Sequence, residues 1–162
     1  RVLFRSSSTI SDLIEPIKDN FDIIIFDCPP SIGHHITGCI YASDMVISPI
    51  DPDDDAIDGM KYLYAEVLKI NKKSKKNREF KILLNKYDQR TIMSTRILNN
   101  LLEFEELKDC LFDTIIGVSQ EFTQAKNDRI TIFDPLKQSK GAKDIDRVTL
   151  EILGLKINED ES

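Results

Sequence analysis

Four large apolar residues in a row, Ile23 to Phe26, run directly into Asp27, Cys28, Pro29, Pro30, Ser31, Ile32 and Gly33, and this stretch constrains the fold more than any other. An unalternating Ile/Phe run suits a strand covered on both faces, the condition of strands in a parallel α/β sheet. A strand over Ile23 to Phe26 is therefore expected, with Asp27 at its end. Such sheets bind ligands just beyond the carboxyl ends of their strands. In nucleotide-binding sheets an acidic residue there helps hold Mg²⁺, directly or through water, while the turn after it brings backbone N–H groups near the terminal phosphate. Asp27 is thus the candidate catalytic and metal-positioning residue, and Pro29 and Pro30 shape the candidate phosphate-side turn. The plainer alternative is that Asp27 only ends a buried strand.

The rest of the chain alternates helical and strand patterns without internal repeats. Ile10, Leu13, Ile14, Ile17 and Phe21 follow helical spacing, with Pro16 placed to kink that helix. A short helical segment near Ile36 to Ala42 leads to a second buried strand, Met45 to Ile50. Ala56, Met60, Leu63, Tyr64, Val67 and Leu68 form a helical stripe headed by the acids Asp53 to Asp55. Phe80 to Leu84 reads as a third strand, Thr95 to Phe104 as helix, and Leu111 to Val118 as a fourth strand. Ser139 to Leu153 reads as a final helix with Ser139 as its N-cap and Gly154 just past its end. The tail 158–162 is expected to fray. Alternation of this kind implies right-handed βαβ units, hence an α/β fold with a mostly parallel sheet flanked by helices in three layers.

At 162 residues and 41% hydrophobic, the chain is long enough to bury a core. Its apolar runs are too short to cross a bilayer, and its start lacks the basic-then-apolar layout of a signal peptide, so a cytoplasmic location and no membrane contact are expected. Cys28, Cys39 and Cys110 are odd in number and show no Cys-x-x-Cys spacing, which argues against a disulfide framework or a zinc site. They are expected as reduced, partly buried thiols. A net charge of −6 excludes a surface coated in nucleic-acid-binding charge and leaves room only for local basic patches.

The run FDIIIFDCPPSIG at 21–33 is followed by ASDMVISPI at 42–50, AIDGM at 56–60, ILLNKYDQRT at 82–91, LFDTIIG at 111–117 and IFDPLKQSKGA at 132–142. In order and spacing these segments resemble the ParA/Soj group of partitioning ATPases, the deviant-Walker branch of P-loop NTPases that also holds MinD-like proteins. That family opens with a strand and a Lys-Gly-Gly-type phosphate loop. The six glycines here are isolated, and none precedes a Lys-Ser/Thr pair. The chain therefore looks like the carboxyl-terminal part (1–162) of a single ParA-like nucleotide-binding domain, with the first strand and phosphate loop missing. The resemblance places that missing strand between the Asp27 strand and the next one. Without it two apolar strand edges are left unpaired, and a longer natural protein, an altered sheet or an oligomer is expected.

Asn85-Lys86-Tyr87-Asp88 also matches the guanine-reading Asn-Lys-x-Asp motif in its four residues. A carboxylate there can accept from guanine's N1 and exocyclic amine. In the ParA-like register, however, Asn85 follows the strand whose end lies near the adenine, and Asp88 to Thr91 matches the family's Asp-x-Arg-Thr run. Asn85 is accordingly a candidate adenine contact, while Asp88 serves either the base or the loop. His34 and His35 are adjacent and point in different directions, so they chelate one ion poorly and no metal is expected there.

Asp51, Asp53, Asp54, Asp55 and Asp58 lack the glycine and terminal glutamate of a Ca²⁺ loop, and helix capping is the expected role. Lys69, Lys72, Lys73, Lys75, Lys76, Arg78 and Lys81 are expected to form a basic loop between a helix and a strand that either meets phosphates or stays solvated; both readings stand. The resemblance puts Ser139-Lys140-Gly141 on the family's DNA-facing surface, which makes Lys137, Lys140 and Lys143 the candidate DNA-binding residues. Gly117-Val118 replaces the family's Pro-Arg pair, and one residue is added in 134–141.

What the resemblance implies is an ATP- and Mg²⁺-dependent homodimer that binds DNA nonspecifically in plasmid or chromosome segregation and is stimulated by a ParB-like centromere-binding partner. This chain alone, lacking the phosphate loop, is expected neither to bind ATP tightly nor to hydrolyse it. The alternatives are a noncatalytic dimerising or regulatory remnant and a MinD-like positioning ATPase. The last would call for a basic amphipathic terminal helix, whereas the chain ends Asn158-Glu159-Asp160-Glu161-Ser162.

Overall fold

A computed structural model of the chain describes residues 9–29, 34–133 and 139–155. Six α-helices and two strands run in the order α1 (Thr9–Ile14), α2 (His34–Ala42), β1 (Met45–Ile50), α3 (Asp54–Ser74), β2 (Glu79–Leu84), α4 (Ile92–Glu103), α5 (Gln120–Asp128) and α6 (Lys140–Ile152) among these residues. They fall into two compact units, Arg1–Val46 with Gly59–Phe80 and Ile47–Asp58 with Lys81–Ser162. The tail 158–162 lies outside the described residues.

β1 and β2 are hydrogen-bonded neighbours. They run parallel: Glu79 N–H donates to the Asp44 carbonyl at 3.0 Å, and Asn85 N–H to the Ile50 carbonyl at 2.8 Å. A third extended segment follows β2 in the same direction, through isolated parallel bridges Ile82 to Leu111 and Tyr87 to Gly117. The chain is thus α/β, a small parallel sheet alternating with helices, as expected.

In the first unit, Ile36 and Ile40 of α2, Met60, Val67 and Ile70 of α3, and Phe80 of β2 are buried. Tyr64 packs its ring against Phe80 at a centroid distance of 5.1 Å. α1 lies against α2 where Gly38 has no side chain; a Cβ there would sit 3.0 Å from Ile10 Cγ1. α1 ends at Ile14, and a short 3₁₀ turn takes over at Lys18–Asn20. Pro16 has no N–H with which to continue the helix.

The expected strand at Ile23 to Phe26 is not formed. Residues 22–29 carry no strand assignment, and no ladder hydrogen bond joins them to another described residue. Ile25 is 85% exposed and Ile23 53%. Hydrophobicity favours burial, but a strand exists only where a second backbone takes up its N–H and C=O groups.

In the second unit the core is built from Ile82 and Leu84 of β2, Ile97 and Leu101 of α4, and Phe112 and Ile116, all buried. Leu111 to Val118, expected as a regular strand, is interrupted. Phe112 N–H donates to the Ile82 carbonyl at 3.0 Å and Ile116 N–H to the Leu84 carbonyl at 2.9 Å. Between them the chain turns to Glu151 of α6, whose carboxylate accepts from Asp113 N–H at 2.9 Å, Thr114 N–H at 2.7 Å and the Thr114 hydroxyl. A carboxylate takes several such donors at once and holds them more strongly than a neutral acceptor does.

The caps follow the expected chemistry. Asp53 Oδ1 accepts from Ala56 N–H at 3.0 Å at the head of α3, and Ser139 Oγ accepts from Ala142 N–H at 3.0 Å at the head of α6. Gly154, just past α6, takes φ +65°. α5 was not anticipated. Ser119 caps it by accepting from Glu121 N–H at 3.2 Å. Phe122 of α5 lies 3.0 Å from where a Gly141 Cβ would stand, so α6 meets α5 at a position with no room for a side chain.

Candidate functional site

In the second unit the carboxyl ends of the parallel segments bring Asp51, Asn85 and Lys86 together. Asn85 Nδ2 donates to Asp51 Oδ1 at 3.1 Å, and Lys86 Nζ pairs with Asp51 Oδ2 at 2.6 Å. Asp51 thus holds both side chains that follow β2. Lys86 takes a left-handed conformation, φ 51°, which costs a non-glycine residue about 1–3 kcal/mol and recurs where a loop is shaped for function. Tyr87 then rejoins the sheet direction: its N–H donates to the Ile116 carbonyl and its carbonyl accepts from Val118 N–H, each at 3.0 Å.

Asp88 is bound locally. Arg90 Nε donates to Asp88 Oδ1 at 2.9 Å, Arg90 Nη2 to Oδ2 at 2.7 Å, and Arg90 N–H to Oδ1 at 3.0 Å. This two-pronged clamp, and Arg90's backbone N–H after it, bring the Asp88 carboxyl down to about 2. The loop is fixed further by Thr91, whose hydroxyl donates to the Asp88 carbonyl at 3.0 Å, and by Asp88 N–H, which donates to Ser94 Oγ at 3.2 Å. Because the folded value lies below the ordinary 3.8, this clamp contributes above that pH and is lost as pH falls through about 2. A carboxyl-carbon NMR titration is expected to place Asp88 near 2 in the native chain and back toward the ordinary range in Arg90→Ala. An Asp88 that titrates alike in both chains rejects the clamp.

An open groove of about 560 Å³ runs along α4, lined by Gln89, Arg90, Thr91, Arg96 and Asn99 among others. Arg96 Nη2 is paired with Asp54 at 2.6 Å. At the head of α6, Lys140 and Lys143 are exposed. Lys140 Nζ stands 3.4 Å from where a Gly117 Cβ would be, with Asp144 Oδ2 close to the same point. Asp144 is buried and accepts from Gly117 N–H at 3.1 Å. At the same helix head Glu121 Oε2 accepts from Gly141 N–H at 3.4 Å, an anion at the helix's positive end.

In the first unit Asp27 and Pro29 are exposed, in a segment that is neither helix nor strand. Pro30 and Lys137 lie outside the described residues. His34 and His35 open α2, and their side chains lie outside the described ones. Among the described residues no group of three or more His, Cys, Asp or Glu side chains is arranged to hold a metal. Asp27 by itself offers the hard oxygen donor that Mg²⁺ prefers and fits a water-mediated role, in which one carboxylate suffices. No helix among the described residues is long and apolar enough to cross a membrane.

Sequence reading missed the site of Arg78. Of the expected basic loop, Lys69, Lys72 and Lys73 lie in α3 and Lys81 in β2, and Arg78 is only 4% exposed. Its Nη2 donates to the Tyr41 carbonyl at 2.7 Å, its Nη1 to Ser74 Oγ at 2.7 Å and to Asn71 Oδ1 at 3.3 Å, and its guanidinium lies 5.4 Å from the Tyr41 ring centroid. Asn71 also accepts from Arg78 N–H and donates to its carbonyl. Lys76 is likewise engaged, pairing with Asp44 at 2.6 Å. The Asn71 amide, seven residues before Arg78, was the available signal.

Residues 3–82 match the family model described as an AAA domain. The chain is 28% identical over 133 residues to the sporulation initiation inhibitor protein Soj of Bacillus subtilis, covering 80% of this chain and 51% of that protein. It is 30% identical over 138 residues to an uncharacterized protein of Pseudomonas putida, 83% of this chain and 51% of the other. It is 24% identical over 147 residues to the chromosome-partitioning ATPase Soj of Treponema pallidum, 89% of this chain and 56% of the other. The chain spans about half the length of these relatives. The parallel α/β fold and the family match are consistent with a P-loop NTPase-like fold. Within that class, the chain is related to the ParA/Soj-type partitioning ATPases.

Proposed function

We propose that the chain is the part of a partitioning ATPase that carries the metal-positioning carboxylate, the adenine-side amide and a DNA-facing basic helix end. The observation that carries this reading is similarity along 89% of the chain to a protein named as a chromosome-partitioning ATPase. In the full-length natural protein, MgATP binds and closes a homodimer, the dimer holds DNA without regard to sequence, and a ParB-like partner stimulates turnover.

Each residue has a defined task. Asp27 would hold Mg²⁺ through a water, the metal supplying charge stabilisation at the phosphates, and Pro29 and Pro30 would shape the turn that follows. Asn85 would contact adenine: the Asp51 hydrogen bond takes one of the two Nδ2 hydrogens and fixes the amide's orientation, which leaves Oδ1 able to accept from the adenine amine. The Arg90 clamp on Asp88 favours adenine over guanine, because it spends the carboxylate that a guanine reader needs.

Lys137, Lys140 and Lys143 meet phosphates only. Reversing Lys140 and Lys143 to Glu in the full-length natural protein is expected to weaken all duplex sequences alike and to lower the salt slope by about one for each phosphate no longer neutralised. Anisotropy titrations at two salt concentrations read both quantities. Unchanged affinity would mean that these lysines are solvated surface.

A further inference from the structure

Asp51 stands just past β1, and Asn85 and Lys86 stand just past β2. One carboxylate receives both of the latter: Asn85 Nδ2 lies 3.1 Å from Asp51 Oδ1, and Lys86 Nζ lies 2.6 Å from Oδ2. Side chains of adjacent residues in extended chain point to opposite faces. The left-handed backbone at Lys86, φ 51°, breaks that alternation where the two converge. The Asn85 amide is half-buried, its donor end is held, and among the described residues no donor meets its Oδ1. An open acceptor beside a fixed donor, at the carboxyl ends of parallel strands, lies where such sheets read their ligands. We propose that Asp51 is a positioning residue that sets the purine preference of this site, by holding Asn85 with Oδ1 toward the base.

A free asparagine suits either purine, because a half-turn of its amide exchanges the oxygen and NH₂ ends. Adenine carries an amine at its six position, a donor, and guanine carries a carbonyl oxygen there, an acceptor. Asn85 held by Asp51 accepts from the first and sets oxygen against oxygen on the second. Turning the amide over to suit guanine places Oδ1 against the Asp51 carboxylate, two acceptors with no hydrogen between them, and forfeits the 3.1 Å bond. Lys86 supports the arrangement from the other side, since its ammonium on Oδ2 keeps the Asp51 carboxylate facing Asn85. The side chains of Lys86 and Asp51 are 66% and 43% exposed, so the ion pair adds little to stability and its effect is on orientation.

This role rests on the reading in which Asn85 meets the base, and it names the residue that decides which base Asn85 accepts. The orientation of the amide does not rest on that reading.

The test has two parts. In a ¹⁵N spectrum of this full chain without nucleotide, the Asn85 side-chain amide signals are expected to move in Asp51→Ala; signals alike in both chains overturn the orientation. Phosphate release from ATP and from GTP is then measured in the full-length natural protein and in its Asp51→Ala, Asn85→Ala and doubly substituted forms. Asp51→Ala is expected to lose about tenfold of the preference for ATP over GTP, the worth of one hydrogen bond. The loss falls on KM, with kcat little changed, because the base is remote from the transferred phosphate. Asn85→Ala is expected to lose as much, and the double form no more than either, since the two residues act as one. A merely structural role for Asp51 changes both nucleotides alike and leaves their ratio as it was. If Asn85→Ala lowers the preference and Asp51→Ala does not, the positioning role is overturned and the base contact stands. If Asn85→Ala leaves the preference untouched, the base contact fails and the positioning role fails with it.

Discussion

Asp27→Ala in the full-length natural protein is expected to cut ATP turnover by about 10–100-fold, the cost of removing a group that orients a metal's water rather than a core side chain. Its melting temperature should hardly move, because Asp27 is exposed and an exposed substitution of this kind stays within about 0.5 kcal/mol. The two readouts together separate chemistry from folding. Asp27→Asn sharpens the comparison, since it keeps the shape and removes the charge; it should fall nearly as far as the alanine. Steady-state phosphate release beside a thermal melt makes the measurement, and near-native turnover in both variants rejects the metal-positioning role.

Arg78→Ala is expected to be the most destabilising single change outside the apolar core. The guanidinium is buried, donates to the Tyr41 carbonyl, Ser74 and Asn71, and lies over the Tyr41 ring. Truncation takes the guanidinium donor from the Tyr41 carbonyl and Ser74 Oγ and leaves Asn71 Oδ1 with only the backbone N–H of residue 78, a loss of about 2–3 kcal/mol by the cost of hydrogen bonds to charged groups. For a chain of this length that corresponds to a melting temperature lower by roughly 4–12 °C. Arg78→Lys should recover little, because one ammonium cannot reproduce the planar fork that reaches three acceptors. Urea unfolding of the three chains decides it, and a midpoint shared by Arg78→Ala and the native chain contradicts the clamp.

The sequence exposed much of the fold because several elements depend mainly on local chemistry. β1 appears as its own apolar run at Met45–Ile50, and α6 is bracketed by Ser139 and Gly154. Elements that depend on distant partners were less legible. Ile23 to Phe26 has strand composition but no described backbone to pair with, and composition carries no information about a neighbour's presence. The break in Leu111 to Val118 comes from Glu151, a residue 37 positions beyond Thr114, acting through two N–H groups and a hydroxyl. Arg78 was hidden by its neighbours: seven basic residues close together read as one group that meets phosphates or stays solvated, yet Arg78 is buried and Lys69 and Lys76 are ion-paired. Asn85 stands directly after β2, as the sequence predicts, while its hydrogen bond to Asp51 was not legible, because 34 residues separate the two.

The reading of a partitioning ATPase requires that nucleotide state controls the grip on DNA. Fluorescence anisotropy of a random-sequence duplex, titrated with the full-length natural protein in MgATP, in MgADP and without nucleotide, tests this most directly. Tight, salt-sensitive binding with MgATP and weak binding in the other two conditions is the predicted result. Equal affinity in all three would contradict the account.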